Sequence, residues 1–275
     1  MKGVVGIFRG PQGPVGEGGQ MALIDHFREL RARLLRVALL MLVVFIVAFV
    51  YYSHLFELLL HPYNDAQRIL LRDHKNTAPI ITGVSGALSL QFKLCGIAAV
   101  IVTSPYWLYQ LWAFIVPGLH ANERRWTRVF AAIAGPMFLI GVATGYWVLP
   151  KGLEALISFT PKNVQNFVDI SAYLTFVVKM LLAFGVAFEI PLFVVMLNLA
   201  GVVSGRALAR QRPWIVVGAF TFAAFASPAP DPLSMLLLAV PLTALFMVSE
   251  VIARIVDRRR AKAKPQWSDD EASPL

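Results

Sequence analysis

Six apolar stretches separated by polar ones dominate the chain: Val37 to Leu59, Leu88 to Val116, Val129 to Leu149, Tyr173 to Leu199, Trp214 to Ala226 and Leu233 to Val248. Crossing about 30 Å of hydrocarbon takes about 20 helical residues, and unpaired backbone in lipid is too costly for anything but helices or closed barrels. The pattern predicts an all-α integral membrane protein with six transmembrane helices. The polar segments His61 to Gly86, Pro117 to Arg128, Pro150 to Ala172, Gly201 to Pro213 and the Pro-rich turn Ser227 to Pro232 are expected as loops. Residues 1–20, rich in glycine and without a long apolar core, read as a flexible extension, and Met21 is a candidate start. Residues 21–256 form the transmembrane domain, and 257–275 a charged tail expected to be disordered.

The last two spans are short. Trp214 to Ala226 is about 20 Å of helix, and the next apolar run reaches about 24 Å before Ser249 and Glu250. A shallow hairpin in a thinned bilayer is the expectation; lipid-facing spin labels at normal bilayer depth would refute it. Pro105, Pro136, Pro191 and Pro241 fall inside spans and each removes a backbone hydrogen bond, so a kinked, cupped bundle is expected. Gly141 and Gly145 form a small-xxx-small pair suited to close helix contact.

Composition agrees with the pattern: 57% of the 275 residues are apolar and 15% charged, where a soluble chain carries about a quarter charged. The net charge of +9 is distributed unevenly. Lys2, Arg9, Arg28, Arg31, Arg33 and Arg36 precede the first span; Arg124, Arg125 and Arg128 fill the second loop; Arg206, Arg210 and Arg212 the fourth; and Arg254, Arg258, Arg259, Arg260, Lys262 and Lys264 the tail. The alternate loops hold only Arg68, Arg72, Lys75, Lys151 and Lys162. The excess marks the cytoplasm, so both termini are expected inside. This basicity belongs to membrane orientation, and no nucleic-acid partner is expected. The single cysteine, Cys95, excludes an intrachain disulfide and a Cys-based zinc site.

Four groups of residues invite a chemical reading. The segment Asp25 to Leu34 has Leu and Phe at helical spacing, suggesting an amphipathic turn on the membrane surface, where Glu29 is one solvated acid among arginines. Tyr106, Trp107, Tyr109 and Trp112 suit an interfacial aromatic belt, and Glu123, just before the third span, suits a helix N-terminus. Glu189 lies inside the fourth span beside Pro191; an ionised carboxylate in hydrocarbon is costly, so it is expected to face a protein or water-lined cavity, or to be satisfied by a neighbouring helix. Lys179 is about 15 Å along the same helix and cannot pair with it directly. Lys93, near the outer end of the second span, is long enough to snorkel to the interface.

Three motifs in register carry a family resemblance: Glu-Leu-Arg at 29–31; Tyr-Gln-Leu-Trp-Ala-Phe at 109–114 followed by Pro-Gly-Leu and Glu-Arg-Arg at 123–125; and Phe-Gly-Val-Ala-Phe-Glu-Ile-Pro at 184–191. The chain resembles TatC, the multispanning signal-peptide receptor of the twin-arginine translocase, from about Met21 to Arg260. The resemblance implies a glove-shaped bundle of six helices in the bacterial cytoplasmic (inner) membrane. It implies no enzymatic activity and no cofactor or metal: translocation is driven by the proton-motive force. It also implies recognition of folded cargo through twin-arginine signal peptides, with self-association and the single-span partners TatA and TatB. Carried over by position, Glu29 and Glu123 contact the arginine pair, Arg31, Phe114, Pro117, Leu119 and Arg124 give shape or support, and Glu189 lines the face where partner helices or the signal peptide dock.

Two other readings compete. A proton-coupled secondary solute transporter fits broken helices and intramembrane Lys and Glu, but the two three-helix halves show no convincing repeat. An intramembrane hydrolase could use His54, Glu57 and His61, which share a helix face, although neither an H-E-x-x-H nor a G-x-S-x-G motif is present.

Overall fold

The computed structural model describes residues 23–72, 77–115, 124–161, 166–227 and 231–263; the extension at 1–20 lies outside them. Helix α1 runs from Leu23 to Val50 in one piece. With no Gly or Pro in that stretch, the segment expected as a separate surface turn continues straight into the span. The first span also ends earlier than expected. The chain breaks at Tyr51, and Tyr52–Arg72 is a distinct helix, α2. Its stripe of His54, Glu57 and His61 is exposed while Leu59, Tyr63 and Ala66 are buried, a two-faced pattern suited to an interface. Pro62 within α2 has no N–H for the carbonyl of Leu58; the Tyr146 hydroxyl donates to that oxygen instead, at 2.8 Å.

The second span is broken. Helices α3 (Gly86–Val102) and α4 (Ser104–Ile115) meet at a 57° bend around Thr103. Pro105 supplies no amide there, and the Thr103 hydroxyl donates to Ala99 O at 2.7 Å and the Trp107 indole to Val100 O at 3.0 Å. Pro136, Pro191 and Pro241 lie in unbroken helices: α5 (Arg124–Ser158), α6 (Ile170–Leu199) and, after the short helices α7 (Gly205–Arg210) and α8 (Arg212–Ala226), α9 (Pro232–Ala263). The last helix is therefore not short. It passes Glu250 and continues to Ala263, and only α8, with 15 residues, keeps the expected shallowness. Helices α1, α5, α6 and α9 contain stretches long and apolar enough to cross a membrane, and the bent α3–α4 pair makes a fifth if counted as one span.

The segments expected as outer loops hold a small sheet. β1 (Thr77–Ile80) pairs in parallel with β2 (Asn166–Asp169). The Tyr63 hydroxyl donates to Thr77 Oγ1 at 2.9 Å and the Thr82 hydroxyl to Asp169 Oδ2 at 2.6 Å. Asp169 also caps α6 by accepting from the Ser171 amide. The Thr82 hydroxyl and that amide hold the Asp169 carboxyl below the usual carboxylate range, with a smaller contribution from Lys93.

Helix α6 is the centre of the bundle. More than half of its spanning residues are buried within the protein, against 6% for α1, which stands at the margin with Leu39, Leu42 and Ile46 exposed. Gly141 on α5 and Gly185 on α6 let these helices touch: a Cβ at Gly141 would lie 2.5 Å from Phe184 O, and one at Gly185 2.6 Å from the Phe138 ring. An apolar hollow of about 360 Å³ opens among α2, α3, α5 and α6, lined by residues such as Leu58, Ile97, Val142 and Leu181. The end carrying the start of α1 and the C-termini of α4, α6 and α9 is called proximal below, and the end with the sheet distal.

Candidate functional site

At the proximal end, α1 is fastened to α4 by two contacts. Arg33 and Glu29 lie one turn apart on α1 with side chains about four-fifths buried. Arg33 Nε donates to Glu29 Oε1 at 2.9 Å, and Nη2 donates to the same oxygen. Arg33 Nη1 turns the other way and donates to Gln110 Oε1 at 3.0 Å. Two turns before Arg33 on the same face of α1, the His26 ring stacks on Phe114 with centroids 4.2 Å apart and planes within 10°. Positions 26 and 33 share a face of α1, and 110 and 114 share a face of α4, because residues four and seven apart align along a helix.

The opposite face of α4 meets α6. Leu108 and Trp112 pack with Leu192 and Met196, and Trp112 faces the carboxyl of Glu189. Both oxygens of that carboxyl are buried, and among the described residues no donor meets hydrogen-bond geometry at either. A buried acceptor without a donor costs about 1–3 kcal/mol, and more if charged, which makes this carboxyl a costly group to hold between α4 and α6. Helix α4 thus stands between two acids, Glu29 on one side and Glu189 on the other.

Of the residues singled out from sequence, the structure brings Glu29 and Phe114 to one seam and sets Glu189 behind it. Arg31 is exposed, and Arg124 opens α5. Pro117, Leu119 and Glu123 lie outside the described residues. His26, Arg33 and Gln110 are neighbours in the same seam that the sequence reading did not single out as site residues. The i,i+4 spacing of Glu29 and Arg33 was a visible signal; the contact with Gln110 was not, since 77 positions separate it from Arg33. Lys93 and Lys179 are exposed. At the distal end His54 is exposed, and His61 Nδ1 lies 3.1 Å from Asp65 Oδ2.

A second proximal cluster also escaped sequence reading. The carboxylate of Glu250, 1% exposed, accepts from Arg212 Nε and, at 2.7 Å, from Arg212 Nη2; Arg254 Nη2 lies 2.7 Å from the same Oε1. One turn on, Asp257 accepts from the Gly205 amide at 2.7 Å and from Asn198 Nδ2 at 2.8 Å. Arg260 donates to the carbonyls of Asn198 and Leu199 at the end of α6, where a helix leaves acceptors without intrahelical partners. These bonds tie α6, α7, α8 and α9 together.

Comparison with known proteins bears on this arrangement. The family profile described as Sec-independent protein translocase protein (TatC) matches residues 25–241. A protein of that name from Xylanimonas cellulosilytica is 41% identical over 93% of this chain and 93% of its own length. One from Corynebacterium kroppenstedtii is 39% identical over 94% of this chain and 68% of its own, and one from Escherichia coli K12 34% identical over 84% and 88%. A crystal structure described as the twin arginine translocase receptor TatC superposes with a TM-score of 0.72 at 30% identity, covering 85% of this chain and all of that one. With the apolar helices and the proximal architecture described above, these matches show that the chain belongs to the TatC family, the helical membrane proteins of the Sec-independent protein translocase.

Proposed function

We propose that this chain is the signal-peptide receptor of its translocase: it binds the twin-arginine signal peptides of folded cargo proteins at the cytoplasmic face and nucleates the translocation complex. The proximal end is then cytoplasmic, with both termini on the cytoplasmic side of the bacterial inner membrane. The bent α3–α4 pair and the short α8 count as spans, giving six. Glu29 and Glu123 receive the two arginines, and Arg31, Phe114, Pro117, Leu119 and Arg124 shape the surface around them. The observation that carries the reading is the seam between α1 and α4, where Glu29 already accepts two guanidinium hydrogen bonds from Arg33. Both bonds fall on one oxygen of that carboxylate, Oε1, a contact that uses two donors of one guanidinium, which the single ammonium of lysine cannot reproduce. Glu189 is the docking point for a polar group on a partner helix, TatA, TatB or a second copy of the chain, since its oxygens lack donors of their own. The translocase family match gives no support to the competing solute transporter.

The test is binding of a twin-arginine signal peptide and its twin-lysine counterpart to the detergent-purified protein, with Glu29→Gln and Glu123→Gln variants. Arginine-selective binding that weakens at least about tenfold in each variant, the scale of a charge-assisted pair, is expected. Equal binding of both peptides, untouched by either substitution, would remove the receptor assignment.

A further inference from the structure

The seam that carries the receptor reading has an occupant. Glu29 is not an open carboxylate: a guanidinium from its own helix already sits on it, with both groups about four-fifths buried. The same guanidinium is held from the other side by Gln110 Oε1 at 3.0 Å, so its three edges are engaged at once. We propose that Arg33 is an internal stand-in for a signal-peptide arginine, occupying Glu29 in the resting receptor and surrendering it on binding, so that Arg33 sets the affinity of the site. This rests on the receptor reading and adds to it a residue that tunes the response.

The physical argument is competition. A ligand arginine reaching Glu29 forms the bond type it displaces, so the exchange is nearly balanced, and Gln110, which holds the guanidinium over Glu29 from the other side, biases it toward the closed arrangement. The closed arrangement lowers the apparent affinity by the fraction of receptor in which Glu29 is open. That factor is a property of the receptor alone and applies equally to every ligand that uses Glu29. Loosening the Arg33 clamp therefore strengthens twin-arginine and twin-lysine binding by the same factor and leaves their ratio unchanged. If Arg33 instead touched the ligand, loosening it would weaken binding or alter the ratio.

Two variants separate this from a change in overall charge. Arg33→Lys keeps the positive charge, but a single ammonium cannot span Glu29 and Gln110 as the guanidinium fork does. Gln110→Ala removes the opposing acceptor with no charge change. Measured by titrating the detergent-purified full chain with synthetic twin-arginine and twin-lysine peptides at fixed salt, Arg33→Gln is expected to raise both affinities about tenfold. Arg33→Lys and Gln110→Ala should raise both by smaller, parallel factors. Circular dichroism of each variant checks that the helices persist, and Gln110→Ala carries the test alone should the Arg33 variants fail to fold. A gain confined to Arg33→Gln reports the lost charge and overturns the proposal, as does weakened or unchanged binding in all three. Absence of arginine selectivity in the unsubstituted protein would defeat the receptor reading itself; selectivity without the parallel gains would defeat only the stand-in.

Discussion

Arg212, at the start of α8, closes on Glu250 of α9 across 38 positions of sequence. The carboxylate is buried while Arg212 and Arg254 are about half exposed, so the two partners are not equivalent. Removing an arginine leaves a buried acid short of donors; removing the acid leaves two arginines that water can solvate. Arg212→Ala is expected to lower stability by about 2–3 kcal/mol and Glu250→Gln by about 1 kcal/mol. Thermal unfolding of the detergent-purified protein, followed by tryptophan fluorescence, checks the order. A larger loss in Glu250→Gln would mean that the carboxylate does more than anchor the two arginines.

The Tyr146 hydroxyl satisfies a carbonyl that Pro62 strands. Tyr146→Phe should cost about 1 kcal/mol in the natural chain. In a Pro62→Ala background the restored amide at position 62 can take over the Leu58 carbonyl, so the same change should cost close to nothing. A double-mutant cycle on thermal stability measures the difference, and strict additivity would refute the coupling.

Helices α5 and α6 approach so closely at Gly141 that an added Cβ would meet backbone, the carbonyl oxygen of Phe184. Gly141→Ala must push the helices apart and is expected to cost about 2–3 kcal/mol. Gly145→Ala, whose Cβ would lie 3.0 Å from a Phe184 side-chain atom, should cost less. Yield of folded protein and its unfolding temperature rank the two.

At the distal end the folded state holds the Asp169 carboxyl below its ordinary range, chiefly through the Thr82 hydroxyl. A group whose pKa is lowered on folding contributes its stability above its unfolded value and loses it as pH falls through the folded one. The tie between β1 and the cap of α6 is thus intact at neutral pH and lost only in acid, below the usual carboxylate range. The unfolding temperature of the natural chain should fall toward that of Asp169→Asn in that window, and the two curves should run parallel above it.

How much of this was legible in the sequence follows from the range of each interaction. Helices α6 and α8 match their apolar runs to within a few residues, because burial in lipid is written in composition, whereas α5 continues past Leu149 and Pro150 to Ser158, into a segment expected as a loop. Helix α2 reads in sequence as the end of a span followed by a loop, since its apolar face continues the first run and its exposed stripe of His54, Glu57 and His61 interrupts it. The β1–β2 pair consists of two four-residue strands joined across nearly ninety positions, with no periodic signal in so short a segment. Glu250 looked like the polar limit of a short span because its neutralising partner, Arg212, belongs to another helix. The motifs around Glu29 and Phe114 name two residues that the structure brings to one seam, whereas the Arg33–Gln110 clamp depends on side-chain direction, which no sequence pattern carries.

Glu189 sets stability against function. Among the described residues its buried oxygens meet no donor in hydrogen-bond geometry, and a buried acceptor left so costs about 1–3 kcal/mol that an apolar residue of similar volume does not. Glu189→Leu should therefore raise the unfolding temperature. If the acid serves to recruit a polar partner helix, the same change should abolish translocation of a twin-arginine cargo while leaving signal-peptide binding at the α1–α4 seam intact. Glu189→Gln, which can still accept a hydrogen bond and adds a donor, should retain part of the transport. Export assays in a strain lacking its own copy, run alongside unfolding of the purified variants, measure both sides. A Glu189→Leu protein that is more stable and still transports would mean that the buried acid has no part in assembly; one that is less stable would mean that Trp112 or another neighbour satisfies the carboxyl in the bilayer.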